Sequence, residues 1–145
     1  MSEYTVEHDG LNTRKVYDKD GNLIELCRYK ADGSLLSFDE YEYDKKGNKV
    51  RAISRNSKGN LVSYQNFEYD TKDNNITTVQ RRADGSLQNY TRFTYDENDN
   101  VVREVRYDEY GRVHHYVNTT YDAYGNKNES ITYKPDGTPA FPRKN

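Results

Sequence analysis

The fold of this chain is decided by a short motif, which reads YDKDGN at residues 17–22. The motif returns four times at intervals of 26 residues, as YDKKGN (43–48), YDTKDN (69–74), YDENDN (95–100) and YDAYGN (121–126). A second series with the same interval consists of Gly33, Gly59, Gly85, Gly111 and Gly137. Self-similarity at a fixed interval is the sequence signature of a repeat architecture. The chain therefore consists of tandem units, and each unit carries two turn signals.

Both series have the chemistry of tight hairpin turns. In Asp18-Lys19-Asp20-Gly21 the aspartate can accept backbone hydrogen bonds, and the glycine supplies the left-handed conformation that closes a type I turn with a bulge. Asp73 and Asp99 replace that glycine in two units, and aspartate is one of the few residues that tolerate the conformation. In the second series, Pro135 stands where a fixed φ suits a type I turn. We therefore predict a short hairpin at every connection.

The segments between the turns have the length and patterning of strands. Residues of one face alternate in the longer segments, as in Leu87, Asn89, Thr91, Phe93 and Tyr95. In the shorter segments apolar residues stand three apart, as in Val50 and Ile53, which predicts a bulge in each short strand. We predict an all-β fold: an antiparallel meander of about 10–12 strands, built from five 26-residue hairpin repeats and forming one coiled sheet. The alternative is a closed up-and-down barrel.

We interpret residues 1–145 as a single β-repeat domain. Residues 1–16 are expected to form an N-terminal cap hairpin, residues 17–134 the tandem repeats, and residues 135–145 a proline-containing C-terminal cap. Pro139 and Pro142 remove backbone donors from the last segment, which is one way to keep an edge strand from pairing further.

Composition excludes several functional classes. The 22 basic and 24 acidic residues give a net charge of −2, so no excess positive charge favours a phosphate backbone, and we predict no nucleic-acid partner. No apolar run approaches the ~18 residues of a membrane span, and no signal-peptide pattern opens the sequence. We therefore expect a soluble chain without membrane insertion, and the compartment stays open. Cys27 is the one cysteine, which excludes an intrachain disulfide and a cysteine metal cluster.

The two faces of the sheet are expected to differ in chemistry. One column of the predicted apolar face contains Leu35, Leu61, Leu87 and Val113, followed by Tyr41, Phe67 and Phe93 and the tyrosines of the motif. The opposite face carries its own aromatic column, Phe38, Tyr64, Tyr90 and Tyr116. Planar rings among polar groups can stack against sugar rings, and these four residues are the predicted ligand-binding residues. The alternative is structural, because tyrosine is a strong strand former.

Catalytic and metal-binding patterns are weak, and we predict no catalytic residue, no metal site and no cofactor. His114 and His115 are adjacent on a strand, so we expect them to point to opposite faces and not to share a ligand. Residues 18–22 and 96–100 place oxygen ligands at alternate positions, as calcium loops do, but turn formation explains them better. The chain is therefore predicted not to be an enzyme.

Between Tyr17 and about Lys134 the chain resembles the YD (RHS) repeat family, here with a 26-residue period. The resemblance implies hairpins that build a long coiling sheet, as in bacterial polymorphic toxins and teneurins, and a location at the bacterial cell surface or outside the cell. It also implies carbohydrate binding. By the same resemblance the packing tyrosines are Tyr17, Tyr43, Tyr69, Tyr95 and Tyr121.

These observations favour a non-enzymatic β-repeat scaffold or binding module that recognises a carbohydrate or a protein through the aromatic column. A purely structural or engineered repeat without a ligand is the first alternative. A closed barrel that holds a small ligand is the second. A chain with so few aliphatic residues also leaves apolar surface to cover, so homodimerisation through the apolar face is a further expectation.

Overall fold

The computed structural model describes residues 4–10 and 12–141, so the prediction for Pro142 and parts of both predicted caps lie outside the described residues. Eleven strands follow one another along the chain. Their bounds are β1 Thr5–Asp9, β2 Thr13–Tyr17, β3 Leu23–Tyr29, β4 Leu35–Tyr43, β5 Lys49–Asn56, β6 Leu61–Tyr69, β7 Asn75–Arg82, β8 Leu87–Tyr95, β9 Val101–Tyr107, β10 Val113–Tyr121 and β11 Lys127–Tyr133.

The strands pair in chain order in one antiparallel sheet, from β1 at one end of the order to β11 at the other. The predicted meander is therefore confirmed. The closed-barrel alternative is wrong, because β1 and β11 stand at opposite ends of the order instead of pairing. The described residues contain no helix, and so none that could cross a bilayer.

Ten turns share one backbone hydrogen-bond pattern. The N–H of the first residue donates to the carbonyl of the residue four positions on, as Asp44 N does to Asn48 O at 2.9 Å. Its carbonyl accepts from the N–H three positions on, as Asp44 O does from Gly47 N at 3.1 Å. The first residues are Asp18, Lys30, Asp44, Asn56, Asp70, Arg82, Asp96, Asp108, Asp122 and Lys134. Asp73 and Asp99 occupy the left-handed position with φ of 66° and 63°. The hairpin predicted from each turn signal is confirmed.

Aspartate stabilises these turns in two ways. At the first position its carboxylate accepts from backbone N–H groups, as Asp44 does from Lys46 and Asn48 at 2.9 Å. Where the first residue is basic, the aspartate before the glycine accepts instead from the residue two positions on, as Asp136 does from Thr138 N and Oγ1. These hydrogen bonds, from the N–H four positions on in the first kind and from the hydroxyl in the second, hold the carboxyl pKa below its usual value. This applies to Asp18, Asp32, Asp44, Asp70, Asp84, Asp96, Asp108, Asp122 and Asp136.

The bulge predicted in the short strands is confirmed wherever their register is described. Glu42 pairs with Arg51 and Tyr43 with Lys49, which leaves Val50 as the extra residue. Ile24 and Val102 are extra residues at the equivalent positions, and Asn128 is one in β11.

The long strands carry a second bulge that the sequence analysis did not predict. Its extra residue is the second of the strand, Leu36 in β4, Val62 in β6 and His114 in β10. Side-chain alternation breaks at a bulge, so the residue before it moves to the other face.

This second bulge corrects the predicted apolar face. Leu61 lies beside Ile53 and Tyr64, and Val113 lies beside Val105 and Tyr116. Leu35 pairs with Tyr29, which lies on the same face as the Cys27–Phe38 pair. The predicted grouping of Leu35, Leu61 and Val113 with Tyr41 and Phe93 is therefore wrong. The aromatic column and these aliphatic residues share one face, which we call the column face.

Buried apolar side chains also lie on the column face. Val16, Cys27 and Ile53 are only 5–9% exposed, and Cys27 and Ile53 stand directly opposite Phe38 and Tyr64 on neighbouring strands. Directly opposite residues of an antiparallel pair share a face. On the other face, Thr91 is buried at 8% exposure.

Three of the motif tyrosines donate hydrogen bonds to backbone carbonyls at the ends of strands. The Tyr43 hydroxyl donates to the Leu23 carbonyl at 2.6 Å, Tyr95 to Asn75 at 2.6 Å, and Tyr121 to Val101 at 2.8 Å. Each bond joins the last residue of a long strand to the first residue of the strand before it. The tyrosine therefore satisfies a carbonyl at the point where the ladder ends.

After β11 the chain turns once more and makes one isolated bridge between Tyr133 and Pro139. Ala140 N donates to Thr132 O at 2.9 Å. Proline has no N–H to add to a ladder.

The chain divides into two compact units. The first unit is Met1–Phe67 with Arg81–Ser86, and the second is Glu68–Gln80 with Leu87–Asn145. Each unit contains one of the two grooves described next.

Candidate ligand-binding grooves

The four predicted ligand-binding residues stand at the same place in four long strands, and each contacts residues outside the set. Phe38 lies between Cys27 and Arg55 on the neighbouring strands. Tyr64 stands opposite Ile53, Tyr90 opposite Tyr107, and Tyr116 opposite Val105 and Tyr133. No ring stacking joins two members of the column within either described unit.

Other groups already cover much of the ring surface. Tyr90 stacks on Tyr107 with centroids 4.3 Å apart, and Tyr116 stacks on Tyr133 at 5.0 Å. The Arg103 guanidinium lies 4.6 Å from the Tyr116 centroid. A ring and a guanidinium group cannot occupy the same side, so both faces of Tyr116 are covered. A ligand at Tyr116 would contact the ring edge, the hydroxyl and the neighbouring guanidinium group.

Beside Tyr116 the second unit forms an open groove of about 590 Å³. Arg92 and Thr94 of β8, Arg103 of β9 and the side chain of Tyr116 surround it, above Val105 and Val113. The full lining is Arg92, Thr94, Arg103, Val105, Tyr107, Val113, Tyr116, Pro135, Asp136 and Gly137. We call this the second groove.

The first unit forms a groove of about 360 Å³ from Arg51, Ile53, Arg55, Leu61, Tyr64, Ala83, Asp84 and Gly85. We call this the first groove. Each of its eight residues has an equivalent in the second groove 52 residues later, which is two repeats. Chance does not select the same eight positions twice, so the grooves are a property of the repeat.

In both grooves the hydroxyl of the column tyrosine lies close to a turn glycine. A Cβ added at Gly85 would lie 3.6 Å from the Tyr64 hydroxyl, and one at Gly137 would lie 3.6 Å from the Tyr116 hydroxyl. The turn wall also carries Asp84 or Asp136. Hydrogen bonds from Ser86 and Thr138 lower the pKa of these carboxyls, which therefore stay ionised near neutral pH.

Sequence reasoning found the tyrosines of the grooves and missed their arginines. Arg51 and Arg103 are equivalent residues of the short strands β5 and β9, and both lie over column tyrosines, at 5.2 and 4.6 Å from the ring centroids. The 26-residue alignment of the short strands places both in one column. Arg51 and Arg103 are two repeats apart in the sequence, and this recurrence of a basic residue at one short-strand position was the available signal.

The histidine pair corrects a second expectation. Because His114 is the extra residue of a bulge, it and His115 do not point apart: their Nδ1 atoms are 2.7 Å apart. The expectation that they face opposite sides of the sheet is wrong. Among the described residues, no group of three histidine, cysteine or acidic side chains could hold a metal ion.

The two calcium-like runs are turns in this structure. Asp18 Oδ1 accepts from Asp20 N and Asn22 N at 2.9 Å, and Asp96 Oδ1 accepts from Asn98 N and Asn100 N at the same distance. The carboxylates face the backbone of their own turn, which supports turn formation as their role.

No family model and no curated protein matches this sequence. Among solved structures, the chain is similar to TcdB2-TccC3-TEV over 95% of its own length, at 14% identity and a TM-score of 0.53, and it spans 9% of that chain. A structure of TarM has a TM-score of 0.35 at 10% identity, over 76% of this chain and 20% of the other. An S. aureus TarM mutant in complex with Fondaparinux, alpha-GlcNAc-glycerol and UDP scores 0.32 at 9% identity, over 91% and 21%.

The two TarM similarities are too low to carry an argument. At 14% identity the similarity to TcdB2-TccC3-TEV shows the fold alone, which is that of a β-repeat scaffold. Membership in the YD (RHS) repeat family stays a prediction.

Proposed function

We propose that this β-repeat scaffold is a non-enzymatic binding module that holds a carbohydrate in the first and second grooves. The observation that carries the proposal is the recurrence of the same eight lining positions two repeats apart. Volumes of about 360 and 590 Å³ lie within the ~300–1,000 Å³ range of small-ligand sites.

The chemistry of the grooves supports a sugar. Val105 and Val113 offer an aliphatic floor to the C–H groups of a sugar ring, and Thr94 and the Tyr116 hydroxyl offer hydrogen bonds. Because both faces of the Tyr116 ring are covered, Tyr116 contributes its edge and its hydroxyl to this proposal. At Tyr64 the Arg51 guanidinium lies over the ring. Stacking of a sugar on a free ring face has less support.

A glycan array probed with the labelled chain tests this proposal, followed by calorimetry on each glycan that binds. We expect Tyr64→Ala/Tyr116→Ala to lose binding while circular dichroism still shows the folded sheet. The conservative variant Tyr64→Phe/Tyr116→Phe removes only the two hydroxyls and should weaken binding without the loss of ring packing. The matched control is Tyr41→Ala, because Tyr41 stands on the opposite face of the sheet, opposite Ala52. Equal loss in the control would place binding outside the grooves, and an array without any bound glycan would favour the ligand-free alternative.

The second candidate function is self-association, favoured by aromatic side chains at the tips of turns. Tyr110 and Tyr124 are 72% and 91% exposed, and exposed tyrosines are common anchors of protein interfaces. Sedimentation velocity over a range of concentrations should show a dimer that Tyr110→Ala/Tyr124→Ala dissociates. A wild-type chain that stays monomeric at every concentration would contradict this candidate.

A further inference from the structure

We propose that the His114–His115 pair is a proton-operated switch. A second proton on the pair breaks the contact between the two rings and displaces Val113, a residue of the second groove. The inference goes beyond the proposed carbohydrate function, because the switch can be measured in the chain without any ligand.

The two imidazole rings meet end to end. Their Nδ1 atoms are 2.7 Å apart, their centroids are 5.0 Å apart, and their planes are inclined at 75°. These separations place both Nδ1 atoms close to the line between the centroids, which is the geometry of an N–H···N hydrogen bond. When both rings are neutral, one therefore donates from Nδ1 and the other accepts at Nδ1.

The pair can take up two protons in succession, and only the second one opens it. The donor ring gains the first proton at Nε2, and a charged donor strengthens the hydrogen bond. The acceptor ring already carries its proton on Nε2, so the second added proton must go to its Nδ1. Two Nδ1–H groups would then face each other across a gap that has room for one hydrogen, so the rings separate.

The environment of the pair identifies His115 as the acceptor ring. His114 is exposed at the bulge, whereas His115 is half-buried. Burial, followed by the charges of His114 and Arg106, lowers the pKa of His115, and the Glu104 carboxylate opposes this effect. The closed pair is therefore present above pH ~6.5 and is lost as the pH falls from there towards the folded pKa.

Charged groups of both neighbouring strands face His115. Arg106 stands directly opposite on β9, and Glu104 lies two residues before it on the same face. Glu104 Oε1 also lies 3.9 Å from the Arg106 guanidinium. Continuing the register between β10 and β11 past its last pair brings Lys134 level with His115. A doubly protonated pair therefore meets two further cations and one carboxylate, and net repulsion favours the open state.

The pair is joined directly to a wall of the second groove. Val113 precedes His114 in the chain, pairs with Tyr107 and lines the groove. His114 is the extra residue of the bulge, and a bulge sets the direction of the residue before it. Movement of His114 away from His115 therefore turns Val113 relative to the rest of the groove.

The first groove has the same bulge without the switch. Leu61 takes the place of Val113, and Val62 and Ser63 take the places of the two histidines. Because this bulge forms without a histidine, we expect protonation to shift Val113 and not to abolish the bulge. The wall of the first groove should keep its position over the same pH range.

Nuclear magnetic resonance of the full chain, with labelled valine and leucine methyl groups, tests the inference between pH 7.5 and 5.0. We expect the methyl resonances of Val113 to move with the same midpoint as the His115 ring. The resonance of the shared Nδ1–H should disappear over the same range. Leu61 reports the first groove and should stay in place, and Val117, on the face of His115, reports the ring charge without the bulge.

Two variants separate the pair from its single rings, and each introduces the residue of the preceding repeat, Gln88 or Asn89. His114→Gln leaves His115 to titrate without its partner, so Val113 should no longer follow it. His115→Asn removes the acceptor and should also hold Val113 in place, which gives a second test in case His114→Gln fails to fold. His8→Asn is the matched control and should leave the movement of Val113 unchanged.

The outcomes decide the inference without reference to a glycan. A Val113 shift that tracks His115 and vanishes in His114→Gln would support the switch. Val113 resonances that stay in place while both rings gain protons would overturn it, as would a shift no larger than that of Val117. An equal shift in His114→Gln would assign the effect to His115 alone. An array without any bound glycan would overturn the carbohydrate function and leave the switch standing.

Discussion

The first and second grooves share a backbone frame and differ most at one side chain. Arg55 in the first groove bonds to Glu40 and to the Gly59 carbonyl, whereas its equivalent in the second groove, Tyr107, stacks on Tyr90. The volumes are about 360 and 590 Å³, and the lining of the second groove also includes Arg92 and Thr94. The difference teaches that the repeat fixes where a groove forms, while one short-strand position decides whether its wall bonds to a turn or to a ring.

The largest effect should come from removing the column tyrosine of each groove. Tyr116→Ala is expected to lower the free energy of unfolding by about 3 kcal/mol, the low end for loss of a large aromatic side chain, because Tyr116 is only half-buried. Tyr64→Ala should cost about 1 kcal/mol less, because the stacking of Tyr116 on Tyr133 adds to the loss in the second groove. Urea unfolding followed by circular dichroism measures both. Equal losses would show that the stacked ring adds no stability.

A smaller loss of stability, equal in the two units, is expected when a motif tyrosine loses its hydroxyl. Tyr43→Phe and Tyr121→Phe each remove one hydrogen bond to a strand-end carbonyl, at Leu23 and Val101, which should cost about 1 kcal/mol. The same unfolding experiment compares them, with Tyr124→Phe at an exposed turn tip as the control. A difference above about 1 kcal/mol would mean that the frame is not the same in both units.

The smallest effect on stability should come from His115, a residue by which one repeat differs from the preceding one, where Asn89 occupies the equivalent position. Burial, followed by the charge of His114, lowers the pKa of His115 in the folded chain. The unfolded chain therefore binds the proton more tightly, and this contribution to stability is present above pH ~6.5 and is lost as the pH falls from there towards the folded pKa.

The urea midpoint of the wild type should therefore fall more between pH 7.5 and 5.5 than that of His115→Asn. His8→Asn serves as the control and should behave like the wild type. The same decline in His115→Asn and in the wild type would exclude His115 as the cause.

The repeat, its turns and the short-strand bulges could be predicted from sequence, because Gly and Asp at fixed intervals require specific backbone conformations. The face assignment of Leu61 and Val113 could not, because it depends on a second bulge at Val62 and His114. Adjacent apolar residues at Leu61 and Val62 were the available signal, since strict alternation does not place two in a row.

Only part of the candidate site could be predicted from the sequence, because the rest depends on which side chains meet across neighbouring strands. The column residues Tyr64 and Tyr116 line the two grooves, but the covered ring faces depend on Tyr133 and Arg103, which lie on neighbouring strands. Pairing across strands depends on register, and register follows from both bulges together.

The backbone hydrogen-bond pattern that the ten turns share has a consequence for how the chain acquires its structure. Nine of the ten turns join strands that are neighbours in sequence, so each of these hairpins closes over a loop of a few residues. Closing short loops loses little chain entropy, and low contact order is associated with fast folding. Assembly can therefore begin at any hairpin and extend strand by strand, while the terminal strands, each with one neighbour in the order, open first under mild denaturant.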